Sequence, residues 1–400
     1  MLNIATYDDG GAGRAAVRIM KSLQQVGVQS KLLVREKKTD EKNVEEVCNT
    51  PLLKFEAKVK GAINTIISHD DIMYELAGFD TSKKRIVEEA DIIILHWTNH
   101  FLSNAGVNKL LRLNKPIIWV MHDMWLLTGG CHCDRYCGKY KSGCKDCTYN
   151  GKKIIKSYKY FNIKKKIISK SNLHIITPSN WLMRRVKESA ILCKQNVDVI
   201  HNPIDVEKYY IVDDIDFIKE KYQIPIDKKI IMYGACNADT DFNKGYRYFK
   251  EAVKYLDSDK YHIVLFGTDN THFFRHDFEQ CTILGKIRSN QDLVEIINCA
   301  DVMVVPSDQE NYSNTVLESQ CCGVPVVAFS IGGMPDLIEH KQNGYLAKYQ
   351  DINDLAEGMN FCANNKEAMV VYTRNKVKNT NSFSLVGNSY KMICEKLLNE

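Results

Sequence analysis

The sequence predicts an α/β protein built from two doubly wound units. Three observations carry that expectation: short β-branched runs alternate with helical stretches from end to end, the 400 residues exceed what one ordinary core accommodates, and Pro203 interrupts the pattern near mid-chain. Such alternation builds parallel sheets covered by helices on both faces. Proline restricts its own backbone and that of Asn202, so Asn202-Pro203-Ile204-Asp205 reads as a defined linker.

In the first half the strand candidates are residues 2–6, 30–34, 91–95, 116–121, 173–177 and 197–200. In the second half they are 229–234, 261–266, 281–284, 301–305 and 325–328. Gly10-Gly11-Ala12-Gly13 lies between the first strand and a helix expected over 14–23. Glycines there serve either a tight turn or the close approach of a ligand. The pattern is not the dinucleotide Gly-x-Gly-x-x-Gly. The tail, 383–398, places Leu385, Val386, Tyr390, Ile393 and Leu397 at helical spacing.

A hydrophobic fraction of 44% and a charged fraction of 26% are those of a soluble globular protein. No apolar run reaches the roughly 18 residues of a membrane span. The start, Met1 to Tyr7, lacks the basic and apolar regions of a signal peptide. Fourteen cysteines in so large a chain therefore point to a reduced, cytoplasmic setting. The net charge of +5 is modest, but no acidic residue occurs from Cys147 to Lys187. Lys152, Lys153, Lys156, Lys159, Lys164, Lys165, Lys166, Lys170, Arg184, Arg185 and Lys187 accumulate there, interleaved with Ile154, Ile155, Tyr158, Tyr160, Phe161, Ile163, Ile167 and Ile168. This is either a solvated basic face or a surface for an anionic membrane, with peripheral attachment at its inner face. No nucleic-acid motif accompanies it, so nucleic acid is not an expected partner.

Glu310 and Glu318 bracket the start of a helix expected after the strand at 301–305. A helix N-terminus attracts phosphate, and flanking carboxylates accept hydrogen bonds from hydroxyls. Glu318, read as two turns in, is expected on the face of Glu310. On spacing alone, two solvated glutamates explain the pattern as well. Cys131, Cys133, Cys137, Cys144 and Cys147 crowd behind His122-Asp123, and Cys144-Lys145-Asp146-Cys147 has metal-ligand spacing.

The ordered set of Gly10 to Gly13, His122-Asp123, Thr177-Pro178-Ser179-Asn180-Trp181, Asn202 to Asp205, Asn243-Lys244-Gly245, Pro306-Ser307, Glu310 to Glu318 and Gly332-Gly333-Met334-Pro335 resembles the GT4 family of retaining glycosyltransferases, and it does so over nearly the whole chain. The resemblance implies a GT-B fold. Residues 1–201 would form an acceptor-side domain with a cysteine-rich insertion at 129–148, 206–380 a donor-binding domain, and 381–400 a helix crossing back onto the first. The reaction is then expected in the interdomain cleft, between a nucleotide-diphosphate sugar and a glycan or lipid-linked acceptor, in surface or extracellular polysaccharide assembly and without a catalytic metal.

By the same resemblance Gly11 and Gly13 abut the diphosphate, and His122 and Asp123 lie near the transferred sugar. Lys244 neutralises the leaving phosphate, Glu310 binds sugar hydroxyls, Asn314 and Thr315 give backbone N–H groups to phosphate, and Glu318 holds the ribose. Leu284 to Ile287 falls where the base usually lies, and Gly332-Gly333 forms a turn that is either structural or shapes the site. Asp239 stands where the family often has arginine, a departure that admits a degenerate binding protein; a nucleotide-sugar epimerase is the other alternative. Cys131, Cys137, Cys144 and Cys147 are the expected ligands of a structural zinc, with Cys133 or His132 in reserve. An iron–sulfur cluster or free thiols are the alternatives.

Overall fold

The computed structural model describes residues 1–68, 72–147, 156–169, 171–274, 277–278 and 280–400. The chain forms two compact units, Met1–Pro203 with Phe383–Glu400, and Ile204–Ser382. The first contains strands β1 (Leu2–Tyr7), β2 (Lys31–Glu36), β3 (Val44–Glu46), β4 (Ile93–Leu95), β5 (Ile117–Val120), β6 (Leu173–Thr177) and β7 (Asn196–Val199). They run parallel in the order β3-β2-β1-β4-β5-β6-β7.

Alternation along the strands sends side chains to two cores. Ile93, Leu95, Ile117, Trp119 and Ile175 join one face with Tyr160, Phe161 and Leu182. Ile94, Ile118, Val120 and Ile176 join the other, with Ile19 and Leu23 of helix Gly10–Gln25. The tail helix Phe383–Asn399 covers that second face through Val386, Tyr390 and Cys394. A Cβ on Gly387 would come within 2.2 Å of the Ser22 carbonyl oxygen, so this close helix approach depends on glycine.

The second unit has β8 (Lys229–Gly234), β9 (Tyr261–Phe266), β10 (Cys281–Ile283), β11 (Val302–Val305), β12 (Val326–Phe329) and β13 (Gly344–Ala347), parallel in the order β10-β9-β8-β11-β12-β13. Every residue of β9, β11 and β12 is buried, as covering helices on both faces demand. Each such aliphatic side chain stabilises the fold by about 1.5–3 kcal/mol relative to exposure.

Strand order reverses between β1 and β4 in one sheet, and between β8 and β11 in the other. Open α/β sheets bind ligands beyond the carboxyl ends of strands at these switch points. Gly11 and Gly13 follow β1, Lys244 follows β8 and Glu310 follows β11, beside these points, whereas His122 and Asp123 follow β5.

Three local expectations change. The first helix begins at Gly10 rather than at 14, so Gly11 and Gly13 belong to its first turn. In the basic segment, helix Ser157–Ile168 turns Tyr160, Phe161, Lys164 and Ile168 into the core, so they form no exposed apolar face. Tyr158 and Ile163 remain partly exposed, while Lys152, Lys153, Ile154, Ile155 and Lys170 lie outside the described residues. The edge strands β3 and β13 were not expected.

Candidate active site

In the first unit, the candidate residues lie in the loops after β1, β4 and β5. Thr6 Oγ1 donates to the carbonyl oxygens of Trp97 and Asn99, at 3.1 and 2.6 Å, pinning the loop after β4. A Cβ on Gly13 would stand 2.7 Å from the Tyr7 carbonyl oxygen, so the turn's own packing accounts for this glycine. Around Gly11 that position is open.

His122 and Asp123 follow β5. His122 Nε2 lies 3.0 Å from Nδ1 of His96, and both rings border a cavity of about 10 Å³ shared with Asp123, Trp97 and Trp125. Burial pushes the His122 imidazole down to about 4 against the opposing pull of Asp123. Asp123 Oδ1 accepts from the Trp125 backbone N–H at 2.8 Å, and Oδ2 lies 2.5 Å from His132 Nδ1. Burial opposes charge on both partners. Each nevertheless offsets the other's penalty, lowering the Asp123 carboxyl and raising the His132 imidazole. His132 is thus paired with Asp123 through one ring nitrogen.

The cysteine-rich segment packs beneath these residues. Cys131, Cys137, Cys144 and Cys147 line one cavity of about 10 Å³, together with Thr128 and Asp134. The Gly129 N–H donates to Cys144 Sγ at 3.1 Å. Burial pushes Cys131 up to about 12, the thiols of Cys147, Cys144 and Cys137 adding to it, and burial pushes Cys144 to about 11. Among the described residues no three His, Cys, Asp or Glu side chains are grouped so as to hold a metal ion, so the expected tetrahedron is not preassembled. Cys133 is absent from this cavity's lining.

In the second unit, the single turn Phe242–Lys244 leads into Gly245, whose φ is 68°. A Cβ there would approach the Pro306 carbonyl oxygen to 1.8 Å, so only glycine lets the two loops touch. Asn243 clamps them: its Nδ2 donates to the Gln309 carbonyl oxygen at 2.8 Å and its Oδ1 accepts from the Gln309 N–H at 2.9 Å. The clamp brings Lys244 Nζ within 4.0 Å of Glu310 Oε2. Gly332, with φ of 54°, packs on Glu310: a Cβ would meet its carbonyl oxygen at 1.9 Å, and Gly333 N–H donates to that oxygen at 3.1 Å. The glycine pair thus supports the backbone of Glu310.

Helix Asn314–Cys321 is capped by Ser313, whose Oγ accepts from Val316 N–H at 3.4 Å. Asn314 and Thr315 occupy its first two positions. Glu318 is buried in the following turn, little more than one turn from the start. Glu310 lies outside the helix, so no common helical face relates the two glutamates. Asp239 accepts from Thr268 Oγ1 at 2.9 Å, tied to the loop after β9.

Residues 9–208 match glycosyltransferase family 4, and residues 227–365 match the glycosyl transferases group 1 family. The chain belongs to glycosyltransferase family 4. Its relatives include an N-acetyl-alpha-D-glucosaminyl L-malate synthase of Bacillus anthracis, 27% identical over 43% of this chain and 46% of the relative. A D-inositol 3-phosphate glycosyltransferase of Saccharomonospora viridis is 35% identical over 24% of this chain and 22% of the relative. The matched regions thus span less than half of these two curated relatives.

Among solved structures, sucrose-phosphate synthase from Thermosynechococcus elongatus superposes with a TM-score of 0.71 at 14% identity, covering 100% of this chain and 99% of that one. Anabaena HepE, solved in complex with UDP and glucose, gives 0.69 at 14% identity, covering 98% of each chain. At such identity the likeness establishes the GT-B fold.

Proposed function

We propose that this family 4 member is a retaining glycosyltransferase that moves a sugar from a nucleotide-diphosphate sugar to a glycan or lipid-linked acceptor. The observation that carries the reading is the pair Lys244 and Glu310, 4.0 Å apart at the switch point of the second sheet, next to a capped helix start. Cleaving the sugar–phosphate bond builds charge on the departing phosphate, and a fixed ammonium there stabilises the transition state more than the ground state. Lys244 fills that role, with the backbone of Asn314 and Thr315 receiving the phosphates. Glu310 accepts from sugar hydroxyls and Glu318 from the ribose diol. Gly11 leaves the chain open beside the diphosphate, and His122 and Asp123 contact the sugar. The phosphate charge is thereby met without a catalytic metal. The complex of HepE with UDP-glucose supports the donor class, and a relative in a Klebsiella pneumoniae cps region supports a role in surface polysaccharide assembly.

Two further components belong to this reading. A zinc ion would draw the four cysteines of the insertion together and hold the segment that carries His132. An anionic membrane surface would receive helix Pro51–Ile67, whose Leu52, Phe55, Val59, Ile63 and Ile66 form an exposed apolar row flanked by Lys54 and Lys58. No helix among the described residues is long and apolar enough to cross a membrane.

A second reading, a binding protein without turnover, is favoured by Asp239 where the family often carries a cation. Incubation with radiolabelled nucleotide sugars decides between them. Release of nucleoside diphosphate that depends on Lys244 supports transfer; donor-induced thermal stabilisation without release supports the binding protein. An epimerase would release an epimer or free sugar with no acceptor present.

A further inference from the structure

Asn3 is the second residue of β1 and is fully buried. Its Nδ2 donates to Ser30 Oγ at 2.9 Å and to the Lys31 carbonyl oxygen at 3.1 Å. A backbone carbonyl only accepts, so the amide nitrogen must face Lys31 and the amide oxygen must face the other way. That oxygen lies 2.9 Å from Nε2 of His96, a ring 1% exposed at the end of β4. An amide oxygen cannot donate. His96 Nε2 therefore carries a proton.

A buried imidazole is neutral unless a charge pays for it, and burial holds His96 well below the ordinary histidine range, its neighbour His122 adding to the effect. A neutral ring has one N–H, so His96 Nδ1 is a bare acceptor. His122 Nε2, 3.0 Å away, must then be the donor. His122 is itself neutral near pH 7, since burial pushes it down to about 4. Its remaining nitrogen, Nδ1, bears no proton. Every hydrogen bond in the series points the same way, from His122 to His96 to Asn3 to the main chain. Reversing the His122 tautomer would set two lone pairs against each other in a buried site.

We propose that Asn3 and His96 are positioning residues that lock His122 in its Nε2–H tautomer, so that His122 meets the bound sugar as a hydrogen-bond acceptor at Nδ1. The ligand group it suits is a hydroxyl of the sugar, and it does not deliver a proton to the departing phosphate. The proposal rests on the reading of His122 as a sugar-contacting residue.

Two-bond proton–nitrogen correlation spectra of uniformly labelled protein report each histidine tautomer without any substrate. His96→Gln and His122→Gln assign the two rings among the eleven histidines. Both should show a protonated Nε2 and a bare Nδ1. A protonated Nδ1 on His122, or a cationic ring near pH 7, overturns the proposal. In turnover, His96→Leu should lower kcat about tenfold, the loss expected of one hydrogen bond at the reacting sugar, with donor half-saturation unchanged. His96→Gln retains an acceptor oxygen and should keep most activity. Wild-type kcat in folded His96→Leu overturns the positioning role; if that variant does not fold, the wild-type spectra decide. Full activity in His122→Ala would instead sink the underlying contact with sugar, whatever the spectra show.

Discussion

The Nδ1 atom of His132 lies 2.5 Å from Oδ2 of Asp123, joining the cysteine-rich segment to the end of β5. Both side chains are about three-quarters buried. Removing one member of such a pair leaves the other without its counter-charge. His132→Ala should therefore cost about 1–3 kcal/mol, discounted from a fully buried pair for the remaining solvent contact. Urea unfolding measures the cost, and turnover should fall as Asp123 loses its fixed orientation. A variant matching the wild type in both would show the pair to be incidental.

Lys244→Ala should stay folded and lose turnover, because the residue sits on a loop whose shape is set by Asn243 and Gly245. The loss corresponds to about 3 kcal/mol of transition-state stabilisation, roughly a hundredfold in kcat. Glu318→Ala should chiefly raise the donor concentration at half-saturation, since ribose binding precedes the chemistry. Steady-state kinetics separate the two effects. Unchanged kcat in soluble Lys244→Ala would show the phosphate site to be elsewhere.

Glu75 predicts a pH dependence of stability. Burial pushes its carboxyl up to about 7, despite opposing help from the His100 backbone and from His132 and Arg35. Below the unfolded-state value of about 4.3 both states hold the proton and nothing is lost. As pH rises from there through about 7, the unfolded chain ionises first, so stability falls. The full cost, on the order of 3 kcal/mol, is present above the folded value. Glu75→Gln should thus raise the melting temperature at pH 8 and leave it nearly unchanged at pH 4. Equal shifts at both pH values would mean that ionisation of Glu75 is not the cause.

Much of this was legible because buried parallel strands are continuous apolar runs. Ile230 to Tyr233 and Val302 to Val305 announce themselves in that way. The edge strands did not: β3 is Val44-Glu45-Glu46, whose charge suits one exposed side, and β13 opens on Gly344. Lys244 and Glu310 were picked out through the family resemblance, and the structure places them 4.0 Å apart in the loops after β8 and β11. The start of helix Asn314–Cys321 was not legible, since it depends on the Ser313 cap. The pairing of His132 with Asp123 was not legible either, because it is set by a loop with left-handed backbone at Arg135, Tyr136, Cys144 and Asp146. The histidine series was missed outright, although one signal was present: a polar Asn3 between Leu2 and Ile4 in a strand otherwise fit for burial.

The exposed row on helix Pro51–Ile67 predicts membrane binding by a surface other than the basic segment. Leu52 is 75% exposed and Ile66 68%, at odds with the usual burial of such side chains. Replacing Phe55 and Ile66 with serine should abolish sedimentation with vesicles containing phosphatidylglycerol. Replacing Lys54 and Lys58 with glutamine should weaken it in a salt-dependent way, by about 1 kcal/mol per lysine. Replacing Lys159, Lys165 and Lys166 should have a smaller effect. Undiminished binding by the serine variant would exclude the apolar row and return attention to helix Ser157–Ile168.

The cysteine segment predicts one bound zinc per chain. Four thiols border one small cavity, and the Gly129 N–H already donates to Cys144. Four residues of the segment hold left-handed backbone, which costs free energy. A divalent cation reverses the electrostatics: thiols that burial keeps protonated become thiolates, and binding free energy becomes folding free energy. Protein purified without chelator should therefore contain zinc by elemental analysis. Cys144→Ser combined with Cys147→Ser should remove it and lower the melting temperature. Because the same segment carries His132, turnover should fall with the metal and return on adding zinc to chelator-treated wild type. Metal-free wild-type protein with full activity and freely reacting thiols would exclude the zinc and leave hydrogen bonds such as that from Gly129 to hold the loop.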